Sequence, residues 1–169
     1  MKILETDRLI LRELTPDDAE FIFELLNEPS FIQNIGDRNI RTLDDARAYI
    51  VNGPVASYAK NGFGLYLVVL RETGESIGMC GLIRRDGLED VDIGYALLPR
   101  FWSRGYAVEA AQATKAFAKD AIGLNRIVAI VDPANAGSIR VLEKIGLRYE
   151  KMVRLSADDI DLKLFGADL

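Results

Sequence analysis

The spacing of apolar positions switches along the chain between the two-residue alternation of strands and the 3.6-residue period of helices. Residues 8–14 (RLILREL) read as a first strand. Thr15-Pro16-Asp17-Asp18 then carries a helix start: threonine as N-cap, proline at the first helical position, aspartate three residues after the cap. Ala19, Ile22, Phe23 and Leu26 follow at helical spacing and give that helix one buried face. Residues 27–41 hold no period and read as a loop over one end of the molecule. Thr42-Leu43-Asp44-Asp45 repeats the start signal; Gly53-Pro54 interrupts or divides this second helix, and Asn61-Gly62 ends it.

The period then shortens. Residues 65–70 (LYLVVL), 76–83 and 91–98 are strands separated by the turn signals Glu72-Thr73-Gly74-Glu75 and Asp86-Gly87, which predicts an antiparallel meander. A helix beginning at Gly105 or Tyr106 follows, with Ala107, Ala110, Ala111, Thr114, Phe117, Ala118 and Ala121 along one face, small enough to sit close on a sheet. Residues 126–131 (RIVAIV) are a further buried strand, residues 138–145 a short helix stopped at Gly146, and residues 149–155 and 160–165 two last strands. The order β-α-α-β-β-β-α-β-α-β-β is that of one α/β domain over residues 1–169. The strand, helix and strand between residues 91 and 131 predict a right-handed parallel crossover inside a mixed sheet.

Composition narrows the class. With 169 residues, 49% hydrophobic and 28% charged, the chain is long enough to bury a layered core and is not of disordered composition. A net charge of -5 argues against a phosphate-tracking nucleic-acid surface and leans slightly toward a cationic substrate. No run approaches the ~18 apolar residues of a membrane span, and the first residues carry no signal-peptide pattern. One cysteine, Cys80, excludes an internal disulfide and fits a reducing cytoplasm. The absence of histidine removes Ser-His and Cys-His nucleophile systems and His-ligated zinc, so no metal is expected. A general base has to be Asp, Glu, Lys, Tyr or a water they hold.

The informative stretch is residues 91–119: a buried strand, a tight turn, and a helix N-terminus whose first amides lack internal partners and carry partial positive charge. In that turn, Arg100-Phe101-Trp102-Ser103-Arg104-Gly105-Tyr106-Ala107 resembles the acyl-CoA signature of the GNAT acetyltransferase superfamily, with Ser103 where the pattern has its first glycine. Serine keeps the amide but restricts positive φ. Asp92-Ile93-Gly94-Tyr95 before the turn, the run from Asn135 to Leu147 after it, and the opening Thr6-Asp7-Arg8-Leu9 resemble the branch of ribosomal-protein N-terminal acetyltransferases. The resemblance implies a mixed, largely antiparallel sheet with helices on both faces, splayed between the fourth and fifth strands, with acetyl-CoA in the gap. It implies cofactor contacts from Leu97 and Leu98, from Arg100, Ser103, Arg104, Gly105, Tyr106 and Ala107, and from Asn135 against the pantetheine arm. A backbone N–H near Leu97, at a bulge, would meet the oxyanion. The partner is an amine, either a peptide N-terminus or a small molecule; the branch also includes homodimers.

Two side chains are candidates for proton transfer. Asp92 is a carboxylate on a central strand, costly unless paired or wetted; it is either a water-linked base or the ion-pair partner of Arg84 or Arg85. The resemblance places Ser138 near the departing sulfur, where a hydroxyl orients or relays a proton; Asn135 and Ser138 also suit a helix start. Cys80, in an apolar strand without histidine, reads as core rather than as an acyl carrier. Two functions stay open at this level: an acetyl-CoA-dependent N-acetyltransferase working by direct transfer, and an acyl-CoA-binding sensor on the same fold that does not catalyse.

Overall fold

The computed structural model describes residues 1–157 and 159–169. Its elements are β1 (Lys2–Glu5), β2 (Leu9–Glu13), α1 (Ala19–Leu26), α2 (Pro29–Asn34), α3 (Leu43–Ile50), α4 (Ala56–Asn61), β3 (Leu65–Leu70), β4 (Ser76–Ile83), β5 (Asp92–Leu97), α5 (Tyr106–Phe117), β6 (Arg126–Val131), α6 (Ala136–Lys144), β7 (Arg148–Val153) and β8 (Leu162–Asp168). The strands form one sheet in the order β1-β2-β3-β4-β5-β6-β8-β7. Every neighbouring pair is antiparallel except β5 with β6, the predicted parallel crossover.

The start signals act as read. Thr15 and Asp18 form a capping box on a short 3-10 turn that leads into α1, and Thr42 and Asp45 form another on α3. Gly53-Pro54 interrupts the second helix as expected: it sits in a π-helical turn, Val51–Val55, that divides α3 from α4. Two elements escaped the pattern. β1 is four residues long and half exposed, and α2 has only six residues, so neither is long enough to show a period. Residues 27–41 are therefore partly helical, with Phe31 buried. Because β1 precedes it, the predicted fourth strand is β5 and the fifth β6.

The site follows from how β5 and β6 part. They are paired only at Asp92 with Val128, where the Val128 N–H reaches the Val91 C=O at 3.0 Å. Beyond that pair the sheet is open. Each side of the opening has its own core, one holding Leu11, Ile22, Leu67 and Leu98, the other Ile93, Ile127, Leu142 and Phe165. Helix α5 ties them together, burying Ala110 in the first and Ala111 in the second, with Ala118 just past its end also in the second. Small side chains let one helix lie over the junction.

Candidate active site

Backbone alternation sets the wall of the opening. The Leu98 N–H donates to the Ile77 C=O of the β4 side at 2.9 Å, so alternate residues of β5 direct their backbone groups the other way, into the gap. Tyr95 and Leu97 are those residues. The Leu97 C=O accepts from the Trp102 indole N–H at 2.9 Å, which leaves its amide as the gap-facing donor. The expected bulge is not at this point: β5 pairs with β4 in unbroken register from Asp92 to Leu97. Strand pairing alone turns the Leu97 amide into the gap, and the same alternation turns the Leu98 amide away from it.

The turn into α5 is the second wall. Ser103 has φ 62 and Gly105 φ 83, and Arg104 between them is not among the positive-φ residues. Alternating backbone handedness of this kind turns successive N–H groups toward one point, a concavity suited to an anion. Gly105 is the N-cap of α5 and supplies no side-chain cap. Thr15, Thr42 and Asn135 each cap their helical turns by accepting a backbone N–H. At α5 the first amides keep their donors and the positive end of the dipole.

A brace that the sequence did not single out holds this turn. Arg8 lies 4.4 Å over the Tyr106 ring, donates through Nη1 to the Arg104 C=O at 2.9 Å, and through Nε to Glu109 at 2.7 Å. Thr6 and the Arg8 amide also donate to Glu109. Burial acts to raise the Glu109 carboxyl, but these hydrogen bonds outweigh it and hold the group below its ordinary range. The signal was present in Thr6-Asp7-Arg8, but only folding brings it beside the turn.

Two cavities open from the splay and share a wall. One, of about 680 Å3, is lined by Leu97, Trp102, Ser103, Gly105, Tyr106 and Ala107. The other, of about 980 Å3, is lined by Asp92, Arg85, Tyr49 and Gly94, among others. Tyr95, Asn135 and Ser138 line both. Tyr95 is the central residue that sequence reading missed. Its hydroxyl lies 2.8 Å from Ser138 Oγ and 3.0 Å from the Ser138 C=O, and burial pushes its pKa well up, so it stays protonated. Asn135 caps α6 by accepting from the Ser138 N–H at 3.2 Å.

Asp92 is 1% exposed and its Oδ2 accepts from Arg85 Nε at 2.5 Å. Burial pushes its carboxyl up to about 6, against the pull of Arg85 and of the Ile130 amide. The ion-pair partner is thus Arg85, not Arg84, and Asp92 still lines the larger cavity. Of the sequence-derived set, Leu98, Arg100 and Arg104 do not line either cavity. Leu98 is fully buried with its amide spent on Ile77. Arg100 reaches Glu24 at 3.3 Å and Glu75 at 3.8 Å, and the Arg104 side chain stands off the Phe101 ring at 5.9 Å. Cys80 is fully buried against Thr114 Oγ1 at 3.3 Å, and burial pushes its thiol up to about 12, so it is core.

A splayed mixed sheet with an uncapped helix N-terminus at its opening defines the acyl-CoA transferase class of architecture. Residues 8–148 match the acetyltransferase (GNAT) domain model, and the chain belongs to that family. It is 33% identical to the uncharacterized N-acetyltransferase YoaA of Bacillus subtilis (strain 168), over 90% of this chain and 86% of that one. It is 30% identical to the uncharacterized N-acetyltransferase p20 of Bacillus licheniformis, over 91% and 86%. Among solved structures, the acetyltransferase from Agrobacterium tumefaciens str. C58 superposes with a TM-score of 0.83 at 28% identity, covering 99% of this chain and 94% of that one. RimL, a ribosomal L7/L12 alpha-N-protein acetyltransferase solved with coenzyme A, shares the fold at a TM-score of 0.86 and 16% identity, over 100% and 98%. The chain is an acetyltransferase; the sensor reading is not favoured. No helix among the described residues is long and apolar enough to cross a membrane.

Proposed function

We propose that the protein transfers the acetyl group of acetyl-CoA to a primary amine, on a peptide N-terminus or a small molecule, by direct attack in a ternary complex in the cytoplasm. The observation that carries this is the pair of cavities meeting at Tyr95 and Ser138, one ending on free amides and the other on a carboxylate. The amides of the 103–107 turn fit a pyrophosphate, since they combine unspent donors with the positive end of a helix dipole. Acetyl-CoA would supply the activated thioester there. Leu97 and Asn135 would hold the arm of the donor along the gap, and the Leu97 amide would donate to the acetyl oxygen as it gains negative charge.

Asp92 takes up the proton that the amine loses, through a water in the larger cavity. A carboxyl near 6 is ionised at neutral pH, and it accepts more readily from an α-amine of pKa about 8 than from a lysine of about 10. The Ser138 hydroxyl, fixed by Tyr95, would donate to the departing thiolate. Calorimetry with coenzyme A and thiol release over a panel of amines and N-terminal peptides tests the reading. No binding together with no turnover on any acceptor would overturn it.

A further inference from the structure

The whole chain is acidic, with 21 Lys and Arg against 26 Asp and Glu. The described lining of the larger cavity is not. Among the described residues its lining carries four cations, Arg38, Lys60, Arg84 and Arg85, against three carboxylates, Asp92, Asp132 and Asp159. The carboxylates are engaged within the protein. Asp92 is paired with Arg85, Asp132 accepts the Ala134 N–H at 2.9 Å, and Asp159 accepts from Ser156 Oγ at 3.0 Å. Arg38, Lys60 and Arg84 have no carboxylate within ion-pair distance among the described residues; the ion pairs found there are all made by other cations.

These three cations come from separate segments. Arg38 follows α2, Lys60 lies in the last turn of α4, and Arg84 follows β4 with its guanidinium 6.0 Å from the Phe63 ring. Only the fold brings them to the lining of one cavity. A charge imbalance against the sign of the whole molecule focuses field in the cleft rather than reporting average composition. It also acts on the nucleophile. Positive neighbours disfavour an ammonium, so an amine entering here loses its proton more easily. An amine carrying its own anion would meet three cations without an ion-pair partner among the described residues; a purely cationic amine would gain nothing from them.

We propose that the acceptor is a small amine bearing an anionic group, a carboxylate or a phosphate, which Arg38, Lys60 and Arg84 hold while the amine points toward Asp92 and Tyr95. This rests on the acetyltransferase reading of the same site and reverses the slight lean toward cationic substrates that net charge alone suggests. Arginine at two of the three positions suits either oxyanion, since the guanidinium fork matches carboxylate and phosphate alike.

The test uses matched pairs on the coenzyme A-loaded protein: an α-amino acid against its carboxamide, 2-aminoethyl phosphate against ethanolamine, and a short peptide with an acidic second residue against its neutral counterpart. Binding is read by calorimetry and transfer by thiol release with acetyl-CoA. The expected result is that the anionic member of a small-molecule pair binds or reacts about tenfold better, with the carboxylate and phosphate arms telling the two groups apart. Arg38→Gln and Arg84→Gln, both at exposed positions, each lower that preference about threefold and leave the affinity for coenzyme A unchanged. Equal or better handling of the neutral members overturns the proposal, whether or not any acceptor turns over. A preference confined to the peptide pair overturns it in favour of an acidic N-terminus. Failure to bind coenzyme A at all would instead sink the acetyltransferase reading.

Discussion

The two cavities are built from different materials. The one at α5 is made of backbone: positive-φ residues, an uncapped helix start and a strand amide, with Arg8 and Glu109 bracing from behind. The one at Asp92 is made of side chains from segments scattered between Phe31 and Leu162. Backbone recognition tolerates changes of side chain but not of conformation. Side-chain recognition does the reverse, so the donor half of the site should be hardest to damage with conservative substitutions and the acceptor half easiest.

The largest expected effect is on the side-chain half. Asp92→Asn should lower kcat by about 10²–10⁴, the usual range for losing a general base, with the KM for acetyl-CoA little changed. In the native enzyme activity should fall as pH drops through about 6, where the carboxylate takes its proton, and the variant should lose that limb. The stability linkage has the opposite sense. The folded value lies above the ~3.9 of an unfolded aspartate, so this contribution to stability is present below ~3.9 and is lost as pH rises through about 6. Arg85→Gln separates a base from a merely paired charge, because removing the cation that holds Asp92 down should move the acidic limb above 6. An unmoved limb takes Asp92 out of the mechanism.

A conformational change should be the one that hurts the backbone half. Gly105→Val puts a β-branched residue at φ 83 and its Cβ within 3.2 Å of Arg8 Nη2. Strain of about 1–3 kcal/mol has to be relieved by shifting the turn, so coenzyme A affinity should weaken about tenfold or more while kcat at saturation is kept. Calorimetry beside saturation kinetics decides it. Normal affinity with a lowered kcat would break the division between the halves. At their shared wall, Tyr95→Phe removes the hydroxyl that fixes Ser138 and should cost about threefold to tenfold in kcat, the worth of one hydrogen bond, with neither substrate's affinity altered.

The same contrast explains what could be read from the linear chain. A backbone site needs a contiguous run, and the run from Arg100 to Ala107 was recognisable together with its strand and helix. Within it, the strand alternation that spends the Leu98 amide was readable only once the Ile77 partner was known. Asp92 stood out because a carboxylate is costly on a central strand, and Arg85 was one of two partners within reach. Tyr95 did not stand out, since a tyrosine in a buried strand is ordinary until Ser138 arrives from α6. Arg8 and Glu109 are 101 positions apart, and no local pattern joins them. β1 and α2 were missed for the simpler reason that four and six residues hold too little period to detect.

The smallest effect belongs to the family position that departs from glycine. Ser103 sits at φ 62, inside the left-handed region, so the turn keeps the conformation a glycine would give it. An L-residue there costs about 1–2 kcal/mol relative to glycine. Ser103→Gly removes that cost but adds freedom to the unfolded chain, an opposing term of about 0.4–1 kcal/mol. The first outweighs the second by about 0.5–1 kcal/mol, so the melting temperature should rise by only a few degrees. The amide that faces the cavity is the same in both residues, and coenzyme A affinity should hold within about twofold. Calorimetry on the variant puts the backbone reading at its most exposed: affinity raised tenfold would mean that the serine side chain, not the peptide N–H groups, governs how the turn meets its anion.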